Sequence, residues 1–531
     1  MKIALIAPPY PLEEAPSPPL GLCYVAAACE KAGAQVRIFD YIVSKYSPEK
    51  LCRELDAFRP DAIGSTAVTM NFPSAANIIK AAKGHNPDMI TMMGGPHVSF
   101  DIEGSFRAYP EIDLIVRGEG EETLSELIPV INEKSAWDDI NGIAFRRQGQ
   151  IVATEERELI KDLDSLPLPA RHLLPMSRYQ ALGFPVSIIT SRGCPNKCIF
   201  CLGRKMVGYK ARFRSPAIVV DEIEHILSYG FTRINIADDL FTASKKRVRE
   251  LCEEINRRGV KFDWSAFARV NTVDLEILKV MKSAGCDSIS FGIESGNPEM
   301  LKRIKKGITL EQAREAVRSS KEAGMITHAS FMVGLPGESP KTLTDTSRFA
   351  EELDIPYGYH YLSPFPGTTV REDIDEYDLE ILTDDWSRYD ANSAIVRTSQ
   401  VTPDEMTAFV ANYDNQIANE WDETVRAYNE DRDNCSEKDY FQVEGRKRMD
   451  LIYRILSEDL IEETRCTGSG SRDSLSVFSS SIADRTGIDK TFVTKTVKSL
   501  IQAGYIKPAS ADVPKSFFWT HNRFQDTLPV S

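Results

Sequence analysis

An α/β fold built as two successive units is what the sequence predicts, and three observations predict it. Strand-like and helix-like runs alternate over residues 1 to 135 and again over residues 186 to 370, the pattern of parallel sheets covered by helices. Glycine-rich loops fall at the carboxyl ends of many of those strand runs, where ligands of such sheets bind. Three of the ten cysteines, Cys194, Cys198 and Cys201, sit within eight residues directly after the first strand run of the second unit.

In the first unit, 1–135, the strand runs are 2–7, 36–41, 62–68, 90–94 and 114–116, rich in Ile, Val and Met. Helical patterns at 20–32, 49–58, 74–83 and 121–131 separate them, so the unit reads as a Rossmann-like doubly wound domain. Its strand-end loops are Pro8-Pro9-Tyr10 through Gly21, Ser65-Thr66, Gly94-Gly95-Pro96-His97 and Gly118-Glu119-Gly120-Glu121. Glycine lets a backbone approach a ligand closely; composition leaves that reading and simple tight turning both open. Residues 136–185 read as a connector. A hairpin turns near Gln148-Gly149, and Pro167, Pro169 and Pro175 keep the rest extended.

The second unit, 186–370, has strand runs at 186–190, 233–237, 263–268, 288–293, 327–333 and 359–363, with helices at 218–229, 245–257, 274–284, 310–323 and 341–353. Six such pairs make a partial (β/α)6 barrel, whose chemistry belongs at the carboxyl ends of the strands. The C-x3-C-x2-C motif stands after the first strand, Asp238-Asp239 after the second, Glu294-Ser295-Gly296 after the fourth and Gly334 to Glu338 after the fifth. Closely spaced thiolates bind soft metals, and three of them fit a 4Fe–4S cluster with one iron left open. Arg204, Lys205, Lys210, Arg212 and Arg214 follow the motif; they suit an anionic ligand and, equally, a solvated basic loop.

With Phe200 before its last cysteine, the motif resembles the signature of radical S-adenosylmethionine (SAM) enzymes. The resemblance implies that Cys194, Cys198 and Cys201 each ligate one iron, while the fourth iron chelates the amino and carboxylate groups of SAM. It implies Phe200 beside the adenine, Asp238 or Asp239 at the amino group, Glu294 and Ser295 at the ribose, and Gly334 to Gly337 at the adenine. The order of the first unit's loops, GGPHV and RGEGEET included, is similar to the cobalamin-binding domain that precedes the barrel in one branch of these enzymes. There the loops embrace the corrin, implying contacts from Pro9, Ser65, Thr66, Gly94, Gly95, His97, Gly118 and Glu119. The D-x-H-x-x-G motif that supplies a histidine to cobalt is absent, so His97 is expected as a structural or corrin-contacting residue.

The reaction this implies is methylation of an unactivated carbon of a small-molecule, lipid or peptide substrate, with an electron donor such as flavodoxin or ferredoxin. Oxidation, cyclisation or ring rearrangement with the same cofactors stays open. Residues 371–465 read as a helical extension, with helices from Thr402-Pro403 to 425 and over 446–463. Thr467 to Ser471 is a break. In 466–531, helices at 480–487 and 490–503 and strands at 505–507 and 516–519 resemble a winged helix-turn-helix. A redox-sensing DNA-binding regulator would leave the glycine motifs without purpose, and a formal charge of −14 argues against nucleic acid or anionic membrane as the main partner. No apolar run reaches membrane-span length, and the start lacks a secretory pattern, so a cytoplasmic setting is expected. The seven other cysteines are expected as buried reduced thiols.

Overall fold

The computed structural model describes residues 1–11, 14–430, 436–464, 474–508 and 517–520. Strands β1 (Lys2–Ala7), β2 (Gln35–Asp40), β3 (Ala62–Thr66), β4 (Ile90–Gly94) and β5 (Leu114–Val116) form a parallel sheet in the order β2-β1-β3-β4-β5. Both faces are covered, which is why β1 is buried over Ile3–Ala7 rather than alternating. The order reverses between β1 and β3, opening a crevice at their carboxyl ends.

Two expectations for the connector are corrected. Its hairpin, β6 (Ile143–Arg147) and β7 (Gln150–Ala153), is the antiparallel edge of the first sheet, with Leu114 paired to Phe145. Gln148 and Gly149 both take positive φ, 50° and 81°, as a tight hairpin turn requires. The remainder is not wholly extended: a helix, Met176–Leu182, begins directly after Pro175. Proline ahead of a first turn sacrifices no helical N–H bond.

The second sheet consists of β8 (Val186–Ile188), β11 (Arg233–Ile236), β12 (Asp263–Ala268), β13 (Cys286–Glu294), β14 (Ile326–Val333) and β15 (Tyr357–Tyr361), parallel and in sequence order. Two short antiparallel strands, β9 (Ser191–Arg192) and β10 (Arg212–Phe213), stand at its rim. Among the described residues β8 and β15 do not pair with each other, so the barrel is partial. Trp264, Ala266 and Ala268 are buried, while Ser265 and Phe267 between them are not. Because all six strands run one way, the motif loops share one rim.

Beyond the barrel the helices are Pro403–Glu430 and Glu437–Ser457. The helix expected over 446–463 is interrupted, because Asp459 takes a left-handed φ of 50° before the short turn Leu460–Glu463. Helices Ser474–Thr486 and Lys490–Gln502 precede the paired strands Ile506–Pro508 and Phe517–Trp519. Cys23, Cys29, Cys252 and Cys286 are buried and Cys52 half-buried. Cys435, Cys466 and the break from Thr467 to Ser471 lie outside the described residues. No helix among the described residues is long and apolar enough to cross a membrane.

This C-terminal part is bolted to the first unit through the connector helix. Arg178 donates to Asp459 (3.2 Å), to Glu462 and to the carbonyl of Val43 (2.8 Å). Lys50 reaches the second oxygen of Asp459 at 2.7 Å, and Tyr179 donates to Asp40 at 2.8 Å. Ser177 donates to the carbonyl of Thr520, and the Arg178 guanidinium stands 5.7 Å from the Trp519 ring. Removing one partner of a buried ion pair strands the other. Asp459→Ala should therefore cost roughly 3 kcal/mol, read as an earlier urea midpoint, whereas Asp459→Asn, which tolerates the left-handed backbone, should cost less.

Candidate active site

The cysteine loop is held by the residue pair that follows β11. Asp238 accepts from the Thr190 amide, the Thr190 hydroxyl and the Ser191 hydroxyl, each at 2.6 Å. Its carboxylate is thus spent inside the protein, and burial raises its pKa despite those bonds. Asp239 accepts from the Gly193 amide at 3.0 Å and also faces a cavity. Of the two aspartates offered for the SAM amino group, Asp239 is the accessible one.

The three thiols lie close enough that Cys194 and Cys198 raise the pKa of Cys201, after the larger effect of burial. Among the described residues no three side chains converge as for a single metal ion; a cubane instead takes one thiolate at each of three corners. Donors for thiolate sulfur are in place. Asn196 Nδ2 stands 3.2 Å from Cys194 Sγ, and Arg269 Nη1 stands 3.4 Å from Cys198 Sγ. The donor set fits a cluster.

Arg269 and Lys306 were not singled out from the sequence, and both belong here. Arg269 also donates to the carbonyl of Lys306. Lys306 Nζ pairs with Glu294 at 2.6 Å in a buried contact and lies 5.7 Å from the Phe200 ring. A Cβ on Gly292 would lie 2.6 Å from Glu294 Oε1, so a side chain there would displace that carboxylate. Glu294 itself has a φ of +75°, where the pairing of β13 with β14 shifts register. Such a backbone persists when its surroundings over-determine it.

Ser295, assigned to the ribose, is fully buried against the helix Pro340–Glu352, 3.1 Å from the Thr346 hydroxyl, and packs that helix instead. Gly334 and Gly337 take φ of +89° and +69°. Arg303 donates at 2.9 Å to the carbonyls of Pro336 and Gly337 and occupies the space a Gly337 side chain would need. Glu338 accepts from the Gly334 amide, leaves its other oxygen unpartnered, and burial pushes its pKa up to about 8.

A cavity of about 360 Å3 enters the first sheet at its crevice. Leu5, Gly64, Ser65, Thr66, Met92, Gly94 and Gly95 line it from the strands, and Gly21, Val25, Gly118, Glu119 and Leu124 from the flanking segments. Ile189, Arg192, Met206, Val207, Ala237 and Asp239 close it from the second unit. Two glycines test its fit to a large ligand. A Cβ on Gly95 (φ +98°) would lie 2.7 Å from the carbonyl of Ala67, so that glycine shapes the wall. A Cβ on Gly21 would meet no protein atom within 4 Å, so that glycine keeps space empty. The cavity fits the buried part of a corrinoid.

Pro9, His97 and Glu119 are each placed in their own way, His97 in the structural role that was one of its two expected readings. Pro9 does not line the cavity. His97 does not line it either: it is stacked on Phe72 (4.0 Å) and meets Trp386 edge-on (5.0 Å), with neither ring nitrogen hydrogen-bonded. Burial, helped by Arg371, lowers its pKa to about 4 and keeps it neutral. Glu119 borders the cavity, but its carboxylate is a clamp between the two units. It accepts from Arg192 (2.9 Å), twice from Arg212 (2.9 Å) and from the Ile160 amide (2.8 Å), while Arg192 also binds Glu121 at 2.5 Å.

A strand-end rim bearing three thiols, joined to a glycine-walled cavity in a second α/β unit, defines an enzyme with two cofactors. The Radical SAM superfamily pattern matches residues 188–350 and the B12 binding domain pattern residues 14–128. The uncharacterized methyltransferase PH0819 of Pyrococcus horikoshii is 35% identical, over 77% of this chain and 90% of its own. The anaerobic magnesium-protoporphyrin IX monomethyl ester cyclase of Cereibacter sphaeroides is 32% identical, over 74% of this chain and 66% of its own. The solved structure of the cobalamin-dependent radical SAM enzyme OxsB, with aqua-cobalamin and SAM bound, aligns with a TM-score of 0.67 at 19% identity, over 95% of this chain and 80% of that one. The chain belongs to the radical SAM superfamily, in the branch that carries a B12-binding domain ahead of the cluster domain.

Two substitutions probe these walls. Gly21→Leu should abolish cobalamin retention, read as cobalt content and visible absorption, while leaving the circular dichroism unchanged. The second concerns Glu338. Its pKa is raised from 4.5 to about 8, so the folded state binds more protons between those values. Its contribution is full below pH 4.5 and is lost as pH rises to about 8. Glu338→Gln should remove that loss, roughly 4 kcal/mol, from denaturation midpoints compared at pH 5 and pH 8.5.

Proposed function

We propose that the protein methylates an unactivated carbon of its substrate, using a 4Fe–4S cluster, SAM and cobalamin. The observation that carries this reading is the shared wall of one cavity, with Ser65, Thr66, Gly94 and Gly95 on the first sheet and Ile189, Arg192, Ala237 and Asp239 in the second unit. Cys194, Cys198 and Cys201 would each hold one iron and leave the fourth to SAM. When bound, the cluster and SAM supply a carbon radical able to take hydrogen from an unactivated carbon, and cobalamin supplies a methyl group. The chain's own work is to position and to exclude water. Asp239 offers its carboxylate beside the thiols, Arg269 and Lys306 offer cations, and Glu294 is held ready by Lys306.

The substrate is a small molecule, lipid or peptide. The reaction needs a one-electron donor such as flavodoxin or ferredoxin, and hence a reducing, cytoplasmic setting. The Pyrococcus relative, matched over 90% of its length, supports methyl transfer. The Cereibacter cyclase supports a second reading, in which the same cofactors drive oxidation, cyclisation or ring rearrangement.

Anaerobic reconstitution followed by turnover distinguishes them. Methyl transfer yields S-adenosylhomocysteine together with 5′-deoxyadenosine. Turnover of the true substrate with 5′-deoxyadenosine alone would overturn it in favour of the second reading.

A further inference from the structure

Between Asp164 and Asp221 the chain has no acidic residue, although its formal charge is −14. Within this stretch, Lys197, Arg204, Lys205, Lys210, Arg212 and Arg214 fall among eighteen positions around the cysteine motif. The structure sorts them. Arg212 and Arg214 are consumed internally by Glu119 and Glu222, and Lys205 is paired with Glu372. Lys197 and Lys210 are exposed and Arg204 half-buried, and among the described residues none of the three is ion-paired.

Exposed aromatic surface lies among these charges. Tyr209 is 63% exposed and Phe213 37%, with Lys210 Nζ 5.9 Å from the Tyr209 ring. The loop that carries them is tied to the cysteine loop. The Cys194 amide donates to the carbonyl of Gly208 at 3.1 Å, β9 pairs with β10, and the carbonyl of Lys210 fills the space beside Gly193 that a side chain would need. The connector reaches this loop at Leu159, which meets Gly208, and beside it Glu158 is paired with Lys161 and Glu156 with Arg117.

We propose that this aromatic, cation-bearing face, centred on Tyr209 and Lys210, docks an acidic one-electron carrier protein. The inference rests on the proposed radical function, which requires a reductant. Exposed aromatic residues are enriched at protein interfaces, and the unpaired cations beside them select an acidic partner and steer it towards the thiols. The exchange balances simply: the carrier is oxidised by one electron, the cluster is reduced by that electron, and no bond or proton moves.

The test uses the full-length reconstituted protein, with reduced flavodoxin as the carrier and dithionite as the small reductant. Lys210→Glu combined with Tyr209→Ala should raise the flavodoxin concentration needed for half-maximal 5′-deoxyadenosine formation by about tenfold at low salt. Lys210→Arg should not. The wild-type protein should lose flavodoxin-driven rate as salt rises, and dithionite-driven formation should be the same in all variants. Unchanged flavodoxin dependence in the double variant overturns the docking site alone, as does an equal loss with dithionite. Loss of binding to anionic vesicles without a change in flavodoxin dependence overturns it in favour of a lipid surface. A wild-type protein that forms no 5′-deoxyadenosine with dithionite overturns the radical function beneath it.

Discussion

One carboxylate, Glu119, takes hydrogen bonds from two guanidinium groups that both belong to the other unit. An exposed ion pair of this kind contributes about 0–1 kcal/mol. Buried, with every oxygen occupied, it acts differently: its net stabilisation is modest, but losing either side leaves charge stranded at a cost of several kcal/mol. The arrangement therefore fixes geometry more than it adds stability. Arg192 stands two residues before Cys194, and Glu119 borders the glycine-walled cavity. The separation between cavity and thiols is set where these side chains meet. Pro9 and His97 do not line that cavity, and Ser295 is buried against Thr346.

The parts legible in the sequence were local ones. Cys194, Cys198 and Cys201 announce a soft-metal site because three thiols in one loop have few other uses. The first sheet was legible because strands buried on both faces read as continuous apolar runs, and the second, whose strands alternate, because strand runs and helix runs follow one another in turn. Glu119 was found as a site residue, but its ion pairs were not legible, because its partners Arg192 and Arg212 lie 73 and 93 positions away. Arg269 stands directly after β12, so the rule that pointed to the ends of other strands also pointed to it. Lys306 gave no such signal, since it follows a short helix and reaches Glu294 by folding back. His97 sat in a glycine-rich loop with the composition of a ligand contact. Only the packing of Phe72 and Trp386 turns its ring away.

The segment after the barrel contributes to both units. Val396 packs within reach of Gly334, the backbone carbonyl of Asp378 accepts from the Gly337 amide, and Trp386 covers His97. The Gly334 to Gly337 turn is thereby pressed from outside as well as held by Arg303 from within. Positive φ at two glycines costs little, so the turn can follow its neighbours, and Glu338 beneath it is held protonated below about pH 8 by burial, against the Gly334 and Leu335 amides that favour its charge.

The junction at Asp459 has a consequence for the order in which the molecule is made. Lys50, in the first α/β unit, waits for a carboxylate 409 positions later, and Arg178 waits 281 positions for the same group. Both sheets can form as the chain emerges, because their strands pair with near neighbours in sequence. The loop after β2 cannot lock until synthesis has passed the barrel and the long helices beyond it. Contacts of such separation form late and slowly, so the nascent first unit spends its early life with one corner unfastened.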